Sequence, residues 1–552
     1  LQSLAGTALI FFSLSAYALQ SKRDFSFMHG FLFAGLIVAI LIIPQAIGYG
    51  LLAHLPPSVA LASCIFPLLA YAVFGRSHAL AIGPVAIISL MVGEALQPLS
   101  PEQALPAAQL LALQVALLLG AMRVLNLGNL VHFIGHPVIQ GFTASAAILI
   151  ISKQLPLILG GNIFQLSSID PQTTVLAMGF IGLLLGFKII PHDFISKLGP
   201  LVVVILGCTW VYFEPNTLTT VNISQSHSIF NISFALPWQL FEQLLPNAIL
   251  IALIGLLEST SVAKNLAKQR KENIHANQEL LGLSFANLAA CVFHAYPVAG
   301  GFGRSMVNHQ AGASSPLAGV FTAIFVGFLL LFTIDAINYI PLAALGAIVI
   351  IAVWPLLEFA PVFKKWQVQP KETAIWLVTF VMVLWQGVEI GILSGVSLSV
   401  VFLIRSAAKP HIAIIGQIPD SAHFRNIKRH NVITHPGLLA IRIDEGIHFA
   451  NQDAINQFIE EALQHNPDTI NLLIVCSAVN IIDSDGLDLL QSWNEKLQLQ
   501  NKQLHLAEVK GPVMDELYKR GFVEGIQPGK IFLSTKQAFD ALSQPSDESY
   551  II

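Results

Sequence analysis

Two apolar runs of this chain are interrupted by residues that a membrane-spanning helix does not ordinarily carry in its middle. Pro44 and Gln45 lie within one run, and Gly83 and Pro84 lie within another. Backbone groups that such residues leave unpaired are tolerated at membrane depth only where they face protein or a polar cavity. The two interruptions therefore predict that something polar binds in mid-membrane.

Composition identifies the class of protein. Of 552 residues, 55% are hydrophobic and 11% are charged, whereas a soluble domain carries about a quarter charged residues. The chain is therefore predicted to be a polytopic helical membrane protein up to about residue 408, followed by a soluble α/β region. The predicted parts are a cytoplasmic or interfacial segment (1–24), a transmembrane domain (25–408), a soluble domain (411–545) and a tail (546–552).

Several function classes find no support in the sequence. The net charge of -4 gives no sign of nucleic-acid binding, and the four cysteines have no disulfide or metal-binding spacing. No Gly-rich phosphate loop and no paired His and Cys arrangement is present. We therefore expect neither an enzyme nor a primary pump, and no cofactor or metal.

Fourteen runs could each cross a bilayer once. Two of them, Ala79–Leu96 and Ala295–Gly312, are irregular and rich in glycine. The others are regular runs, several near the length of about 20 residues that spans a bilayer: Phe31–Ala53, Ser58–Phe74, Leu105–Leu125, Val131–Ile151, Val175–Ile190, Leu198–Phe213, Leu244–Ala263, Leu280–Phe293, Ser315–Ile334, Ile340–Leu357, Thr373–Gln386 and Gly391–Ile404.

The distribution of Lys and Arg predicts an orientation. If each run crosses once, these residues fall in alternate loops, with only Lys153 on the opposite side and Arg304 inside a span. The positive-inside rule then predicts a cytoplasmic amino terminus, a cytoplasmic loop at Lys264–Lys271 and a cytoplasmic soluble domain.

The irregular runs come third and tenth, at matching places in two halves of seven. Such a pair indicates a transporter site built from inverted repeats. Each run reads as an extended piece followed by a helix, with Pro84 expected at the helix start. The free N–H groups from Val85 onward, and those after Tyr296–Ser305, would then face an anion with the positive ends of two helix dipoles. The alternative is a pair of merely kinked helices.

One charge is predicted inside the membrane. Arg304 lies in the tenth run, and a cation at the bilayer centre costs about 3 kcal/mol or more, so it usually has a functional partner. Glu258 is the only carboxylate of Leu244–Ala263 and is followed by three hydroxyl residues. Three roles are open for it: a structural ion pair with Arg304, a proton site that couples to anion binding, or a sodium ligand.

Several motifs resemble the signatures of the sulfate permease (SulP) family, also called solute carrier family 26. They are Leu41–Pro57, Gly75–Ala86, His136–Thr143 and Gly301–Gly312, and the resemblance runs from about Phe25 to the carboxyl terminus. It implies two seven-segment inverted repeats, a core of segments one to four and eight to eleven, a gate of the remaining segments, elevator-like movement, homodimers and a plasma or bacterial inner membrane.

The same resemblance implies the site residues. Glu258 would be the acid of the eighth segment. Gly303 stands where family members often have Ser, so the backbone would have to contact the anion there in place of a side-chain hydroxyl group. The positions that would bind the anion are Gln45, Tyr49, Gly83, Val85, Ala86, Gly301, Phe302, Gly303, Arg304 and Ser305.

The soluble region alternates strands and helices, which is typical of an α/β domain. Ile481–Leu487 resembles the loop and helix start of a STAS domain, the regulatory module of the family. Ser484 stands where some bacterial relatives accept phosphate, although Asp483 or Ser484 is also a good helix cap. The sequence does not identify a partner of this domain.

The substrate follows from the resemblance alone. Relatives that carry bicarbonate with sodium tend to lack the tenth-segment Arg and to have a Thr one turn after an Asp, whereas this chain has Arg304, and Val262 one turn after Glu258. Proton-coupled sulfate uptake is therefore expected. The alternatives are sodium-coupled bicarbonate symport, exchange or channel conduction of chloride, oxalate or dicarboxylates, and an anion-gated sensor.

Overall fold

The computed structural model describes most of the chain. The described residues are 38–39, 42–128, 135–161, 168–191, 196, 198–215, 217–221, 236–270, 276–310, 313, 315–357, 359, 366–543 and 550–551. The expected segment 1–24 and the tail 546–549 and 552 lie outside them. The chain divides into two compact units, Leu1–Ser397 and Leu398–Ile552; the domain boundaries given above stay a prediction.

The first unit is helical, with two very short strands. Its helices, in chain order, are α1 (Ile42–Leu52), α2 (Pro57–Phe74), α3 (Ala86–Leu96), α4 (Pro101–Val124), α5 (His136–Leu159), α6 (Pro171–Ile189), α7 (Gly199–Phe213), α8 (Phe241–Arg270), α9 (Ala276–Val292), α10 (Phe302–Gln310), α11 (Leu317–Ile337), α12 (Leu342–Val353), α13 (Pro370–Gln386) and α14 (Val388–Ala408). The strands are β1 (Ile82–Gly83) and β2 (Ala299–Gly300).

The lengths of these helices fit a membrane protein. In the described part of the chain, six are long and apolar enough to cross a membrane, namely α2, α4, α5, α6, α8 with the single turn before it, and α14. Five shorter apolar helices accompany them, including α1, α3 and α12. The number of crossings stays a prediction, since length and composition alone do not count them.

Most of the helix packing falls within two groups, although α3 of the first group also packs on α5 of the second. α9 lies against α2 and α4, α8 packs on α4, α3 and β2, and α11 packs on α2. In the other group, α5 packs against α12 and α13, and α6 packs against α7 and α12. These groups correspond to the core and the gate that the family resemblance implied.

The two irregular runs form an extended piece followed by a short helix, as predicted, and the alternative of kinked helices is wrong. One detail differs from the sequence prediction, because α3 begins at Ala86 with Val85 as its extended N-cap, so Pro84 lies before the helix and not in its first turn. The Pro84 carbonyl group is used instead as a hydrogen-bond acceptor, as described below.

The second unit is an α/β domain with a mixed sheet. Its strands are β3 (Ile412–Gln417), β4 (Phe424–Asn426), β5 (Ile433–Thr434), β6 (Leu438–Ile443), β7 (Asn471–Val475), β8 (Gln503–Ala507), β9 (Ile531–Phe532) and β10 (Tyr550–Ile551). The strand order is β10-β5-β3-β6-β7-β8-β9, with β4 beside β3. Strands β6 to β9 are parallel, and β3 runs antiparallel to β6.

Helices connect and cover the parallel strands. They are α15 (Gln452–His465), α16 (Ser484–Gln498), α17 (Gly511–Lys519), α18 (Phe522–Gly525) and α19 (Thr535–Leu542). The alternation of strands and helices from β6 to α17 agrees with the sequence prediction. Asp483 is the N-cap of α16 and accepts a hydrogen bond from the Gly486 amide at 2.9 Å, so the capping role predicted for Asp483 or Ser484 belongs to Asp483.

A buried histidine joins two strands of this sheet and the residue before a third. His505 of β8 is 1% exposed. Its Nδ1 accepts a hydrogen bond from the Lys530 amide at 3.1 Å, so in the neutral ring Nε2 carries the proton and donates to Asn471 Oδ1, also at 3.1 Å. Burial, with a smaller effect of the positive charge of Lys530, lowers the pKa of His505 to about 4. Protonation of Nδ1 would remove this acceptor and place two N–H donors opposite each other, one on the ring and one on the Lys530 backbone.

We predict that this histidine makes the second unit less stable in acid. The unfolded chain takes up a proton near pH 6.5 and the folded one only near the lowered pKa, so stability falls as the pH drops between these values, by up to about 3 kcal/mol. Hydrogen exchange of β7 and β8 peptides in the full chain, corrected for intrinsic rates, measures this free energy. His505→Gln should lose the dependence, and His465→Gln, at an exposed site, should keep it. An equal slope in the parent and His505→Gln would contradict the assignment.

Candidate functional site

The site is organised by the pairing of two very short strands in the first unit. β1 and β2 run antiparallel, with Ile82 opposite Gly300 and Gly83 opposite Ala299. Each strand is followed within three residues by a helix, α3 in one case and α10 in the other. Because the strands pair, the amino termini of the two helices lie next to each other, as the sequence predicted.

The first turn of each helix leaves backbone N–H groups available. In α3 the Ser89 amide bonds to the Val85 carbonyl at 2.8 Å, and in α10 the Ser305 amide bonds to the Gly301 carbonyl at 3.1 Å. The amides ahead of them have no acceptor in their own helix. Together with the positive ends of both helix dipoles, these amides favour a negatively charged ligand.

Arg304 lies between these two helix ends. It is 7% exposed, and its Nη2 donates a hydrogen bond to the Pro84 carbonyl at 2.6 Å. Gly83 makes this position possible, because a Cβ atom on Gly83 would collide with Arg304 Nη1. Among the described residues, Arg304 forms no ion pair with a carboxylate. The guanidinium therefore carries a positive charge without a carboxylate counter-ion in the described part of the chain.

Glu258 lies in α8 beside this cluster. Its charge lies close enough to that of Arg304 to interact with it, yet the two form no ion pair, and the buried Oε2 has no hydrogen-bond partner among the described residues. The structural ion pair considered from the sequence is therefore not formed. A buried carboxylate oxygen without a hydrogen-bond donor is costly, so this oxygen remains open to a further partner.

Two tyrosines complete the polar surroundings of Arg304. Tyr49 of α1 lies within electrostatic reach of Arg304 and Glu258 and is hydrogen bonded to the Gln45 side chain. The Tyr296 hydroxyl forms a hydrogen bond of 2.9 Å with Ser89 Oγ of α3. Gln45 and Tyr49, predicted from the sequence, are thus near the cation, whereas Tyr296 had been noted only as the start of an extended segment.

The remaining predicted residues differ in their exposure. Val85, Ala86, Gly301 and Ser305 are buried, and Ser305 Oγ both accepts from the Ala81 amide at 2.9 Å and donates to the Gly301 carbonyl at 2.7 Å. Phe302 is 49% exposed and Gly303 is also exposed. A Cβ atom on Gly303 would meet nothing within 4 Å, so open space lies beside the first turn of α10.

Sequence reasoning missed the side chains that hold the extended segments. Ser259 Oγ of α8 accepts a hydrogen bond from the Gly300 amide at 2.8 Å, and Asn308 Nδ2 of α10 donates to the Ala79 carbonyl at 3.2 Å. Both are polar residues in membrane segments, and this property alone could have marked them as candidates for a functional or structural role. Their partners are backbone atoms of other segments, and a sequence pattern does not reveal these.

The arrangement is suited to binding a small anion, because the guanidinium that would bind it is already buried and has no carboxylate partner among the described residues. A guanidinium and the amides of two helix ends provide charge and directed donors, and Glu258 provides a group that can change charge beside them. The fold and this site define a polytopic membrane protein with a buried cation at facing helix ends, and no carboxylate among the described residues pairs with that cation.

Comparison with known proteins agrees with this class. Residues 28–379 match the model of the sulfate permease family, and residues 429–538 match that of the STAS domain. The chain is 34% identical to a protein of Arabidopsis thaliana described as "Sulfate transporter 4.1, chloroplastic", over 93% of this chain and 80% of that one. The protein therefore belongs to the sulfate permease family and ends in a STAS domain.

Solved structures support the same fold. The murine Solute Carrier 26 family member A9 anion transporter, in its inward-facing state, matches with a TM-score of 0.86 and 19% identity, over 97% of this chain and 94% of that one. The transmembrane domain of a cyanobacterium bicarbonate transporter, BicA, matches with a TM-score of 0.60 and 21% identity, over 68% of this chain and 98% of that one. At these identities the similarity concerns the fold.

We predict that Gly83→Ala weakens anion binding by about tenfold, because the new methyl group displaces the guanidinium from the Pro84 carbonyl group. The measurement is the sulfate concentration that half-saturates thermal stabilisation of the purified full chain. Gly255→Ala in α8 is the matched control, since its Cβ would lie at an ordinary 3.5 Å from Ala299 Cβ. Equal sulfate binding by Gly83→Ala and the parent would contradict the geometry.

Proposed function

We propose that the protein is a secondary active transporter that carries sulfate across a membrane together with protons. The observation that carries this proposal is the buried guanidinium of Arg304, which donates to the Pro84 carbonyl at 2.6 Å and has no carboxylate partner among the described residues. The anion would bind between the amino termini of α3 and α10. The description of the Arabidopsis relative as a sulfate transporter supports sulfate as the substrate.

Binding would use the residues around the two helix ends. Arg304 supplies the charge, the backbone amides from Val85 and Ala86 and from Phe302 and Gly303 supply donors, and Gln45 and Tyr49 line the opposite side. Gly83 and Gly301 leave room for the guanidinium, and the Ser305 side chain holds the first turn of α10 by donating to the Gly301 carbonyl. Since Gly303 has no side chain, recognition there depends on its amide.

Glu258 would couple proton binding to anion binding. A carboxylate here adds a negative charge close to the anion, and a proton on Glu258 removes it. The unpartnered Oε2 supports this role, because it is an acceptor atom that no donor of the described residues occupies and that can therefore take a proton. Anion and proton would then bind together and cross together.

The division of the helices into a core group and a gate group, each packed mainly within itself, supports an elevator-like movement. Both helix ends, Arg304 and Glu258 belong to core helices, so the site would travel with the core. The exposed Lys264 and Lys268 of α8 support a cytoplasmic location for that end of the helix and for the STAS domain. We expect a homodimer in the plasma membrane or bacterial inner membrane.

The STAS domain would regulate transport through a partner whose identity the sequence leaves open. Ser484, the first residue of α16, is exposed, and its Oγ accepts a hydrogen bond from Arg520 Nη2 at 2.6 Å. A phosphate group on Ser484 would meet that guanidinium and the helix dipole, so phosphorylation of Ser484 is part of the proposal.

We predict that Arg304→Ala loses sulfate transport while the protein still assembles. Removal of a charged donor costs about 2 kcal/mol or more, roughly a thirtyfold loss of affinity. The measurement is radiolabelled sulfate uptake into vesicles with an imposed inward proton gradient. Arg304→Lys, which keeps the charge but not the planar fork, should retain partial binding.

The same assay separates the alternatives. Accumulation of sulfate above equilibrium supports a secondary transporter, and flux that only equalises the two sides would indicate a channel or a sensor. Bicarbonate uptake that needs sodium, or preference for chloride, oxalate or a dicarboxylate, would replace sulfate as the substrate. Unchanged sulfate affinity in Arg304→Ala would contradict the proposed site.

We predict that Glu258→Gln keeps anion exchange but loses the dependence of uptake on external pH, because the amide mimics a permanently protonated carboxyl group. Uptake across a series of pH values, with and without sodium, measures this. A parent that responds to sodium and not to pH would contradict proton coupling. Full pH dependence in Glu258→Gln would move the proton site to another group, such as His54 or His294.

A further inference from the structure

The extended segments that lead into α3 and α10 need hydrogen-bond partners from other parts of the protein. Residues 75–85 and 295–301 are not helical, so their backbone groups cannot be satisfied within the segment. In a membrane each unsatisfied group costs several kcal/mol. The side chains that supply these partners therefore determine where the two helix ends lie.

Glu279 of α9 faces the start of the first segment. It is fully buried, and its Oε2 accepts a hydrogen bond from the Tyr71 hydroxyl at 2.5 Å. The backbone amides of Ser77 and Arg76 lie within electrostatic reach of the same carboxyl group. Oε1 has no hydrogen-bond partner among the described residues, so part of the hydrogen-bonding capacity of this carboxyl group is unused.

Two glycines bring α2, α9 and this segment into contact around the Tyr71 ring. A Cβ atom on Gly75 would overlap the ring, and one on Gly282 would lie 2.8 Å from Tyr71 Cε2 and 2.7 Å from the Gly75 Cα atom. The ring is thus enclosed by the start of the segment and by α9. The hydroxyl of Tyr71 can reach Glu279 only in this close packing.

Asn287 of the same helix holds the second segment. Its Oδ1 accepts from the Val298 amide at 2.9 Å, and its Nδ2 donates to the Val298 carbonyl at 3.1 Å and to the Leu283 carbonyl at 2.9 Å. The side chain is fully buried. Positions 279 and 287 are eight residues apart and lie on one broad face of the helix. Glu279 and Asn287 therefore face the two segments from the same side of α9.

We propose that Glu279 and Asn287 are positioning residues that fix both extended segments to α9 and thereby set the distance between the two helix ends of the anion site. α9 acts as a common support, because it contacts the first segment near Ser77 and the second at Val298. The inference rests on the proposed function, since it assigns these residues to the affinity of that site. Neither side chain touches the anion.

The test compares variants of the full chain in vesicles and by hydrogen exchange. Asn287→Ala and Glu279→Ala should raise the sulfate concentration for half-maximal uptake about tenfold, with maximal rates within about threefold of the parent, and should speed exchange of amides in 295–301 and 75–85 respectively. Glu279→Gln keeps an acceptor oxygen and should stay within about threefold of the parent.

Ser284→Ala is the matched control on the same helix. Ser284 Oγ donates to the Ala116 carbonyl of α4 at 2.8 Å, so this variant loses a hydrogen bond of α9 that does not involve either segment. It should leave sulfate affinity and exchange of both segments unchanged. An equal loss of affinity in Ser284→Ala would show that any weakening of α9 suffices, which would overturn the proposal.

The remaining outcomes are also decisive. If the alanine variants do not fold, Tyr71→Phe, which removes one hydroxyl group and keeps the ring, should raise the half-saturating concentration severalfold, and an unchanged value would overturn the role of Glu279. Parental affinity and exchange in folded Asn287→Ala would overturn the role of Asn287. If the parent does not bind sulfate while the variants loosen the segments as expected, the proposed function fails and the positioning role stands.

Discussion

The first unit depends on one electrostatic constraint: a buried guanidinium is held with one carbonyl group as its hydrogen-bond partner among the described residues. Arg304 donates to the Pro84 carbonyl at 2.6 Å, and Gly83 leaves the room that its Nη1 requires. In a medium of low dielectric constant an unpaired charge is costly, and a pairing carboxylate would neutralise it. The charge lies where two helix amino termini add to the positive potential. The arrangement therefore favours binding of an anion from outside the protein.

The broken helices explain why so many polar side chains are buried in an apolar unit. The pairing of β1 with β2 satisfies only a few backbone groups, since each strand has two residues. Ser259, Ser305, Asn308 and Asn287 supply partners to several others, each through a hydrogen bond to the backbone of an extended segment. The polar residues of this core therefore serve the geometry of the site as much as its chemistry.

The two units obey different physical rules. In the first, many large apolar side chains are exposed while Arg304 and several other polar side chains are buried, whereas the second has an ordinary apolar core between a sheet and its helices. His505 is an exception in that second core, because its neutral ring is fully used as acceptor and donor between β8, the residue before β9 and β7. Its lowered pKa follows from the same principle that makes Arg304 costly: burial disfavours the charged form.

The sequence by itself determined the class of protein, the matching positions of the two irregular runs and the presence of a cation at one of them, because hydrophobic length and helix-breaking residues act locally. It also predicted that Arg304 and Glu258 interact, from the rarity of charges in apolar runs, and the family motifs predicted that Gln45 and Tyr49 belong to the same site. Only the tertiary structure decided that Arg304 bonds to the Pro84 carbonyl and not to Glu258, that Pro84 lies before its helix, and that Glu279 and Asn287 face the extended segments. These contacts join residues as far apart as 220 positions in the chain, and they are set by packing, which no local pattern encodes.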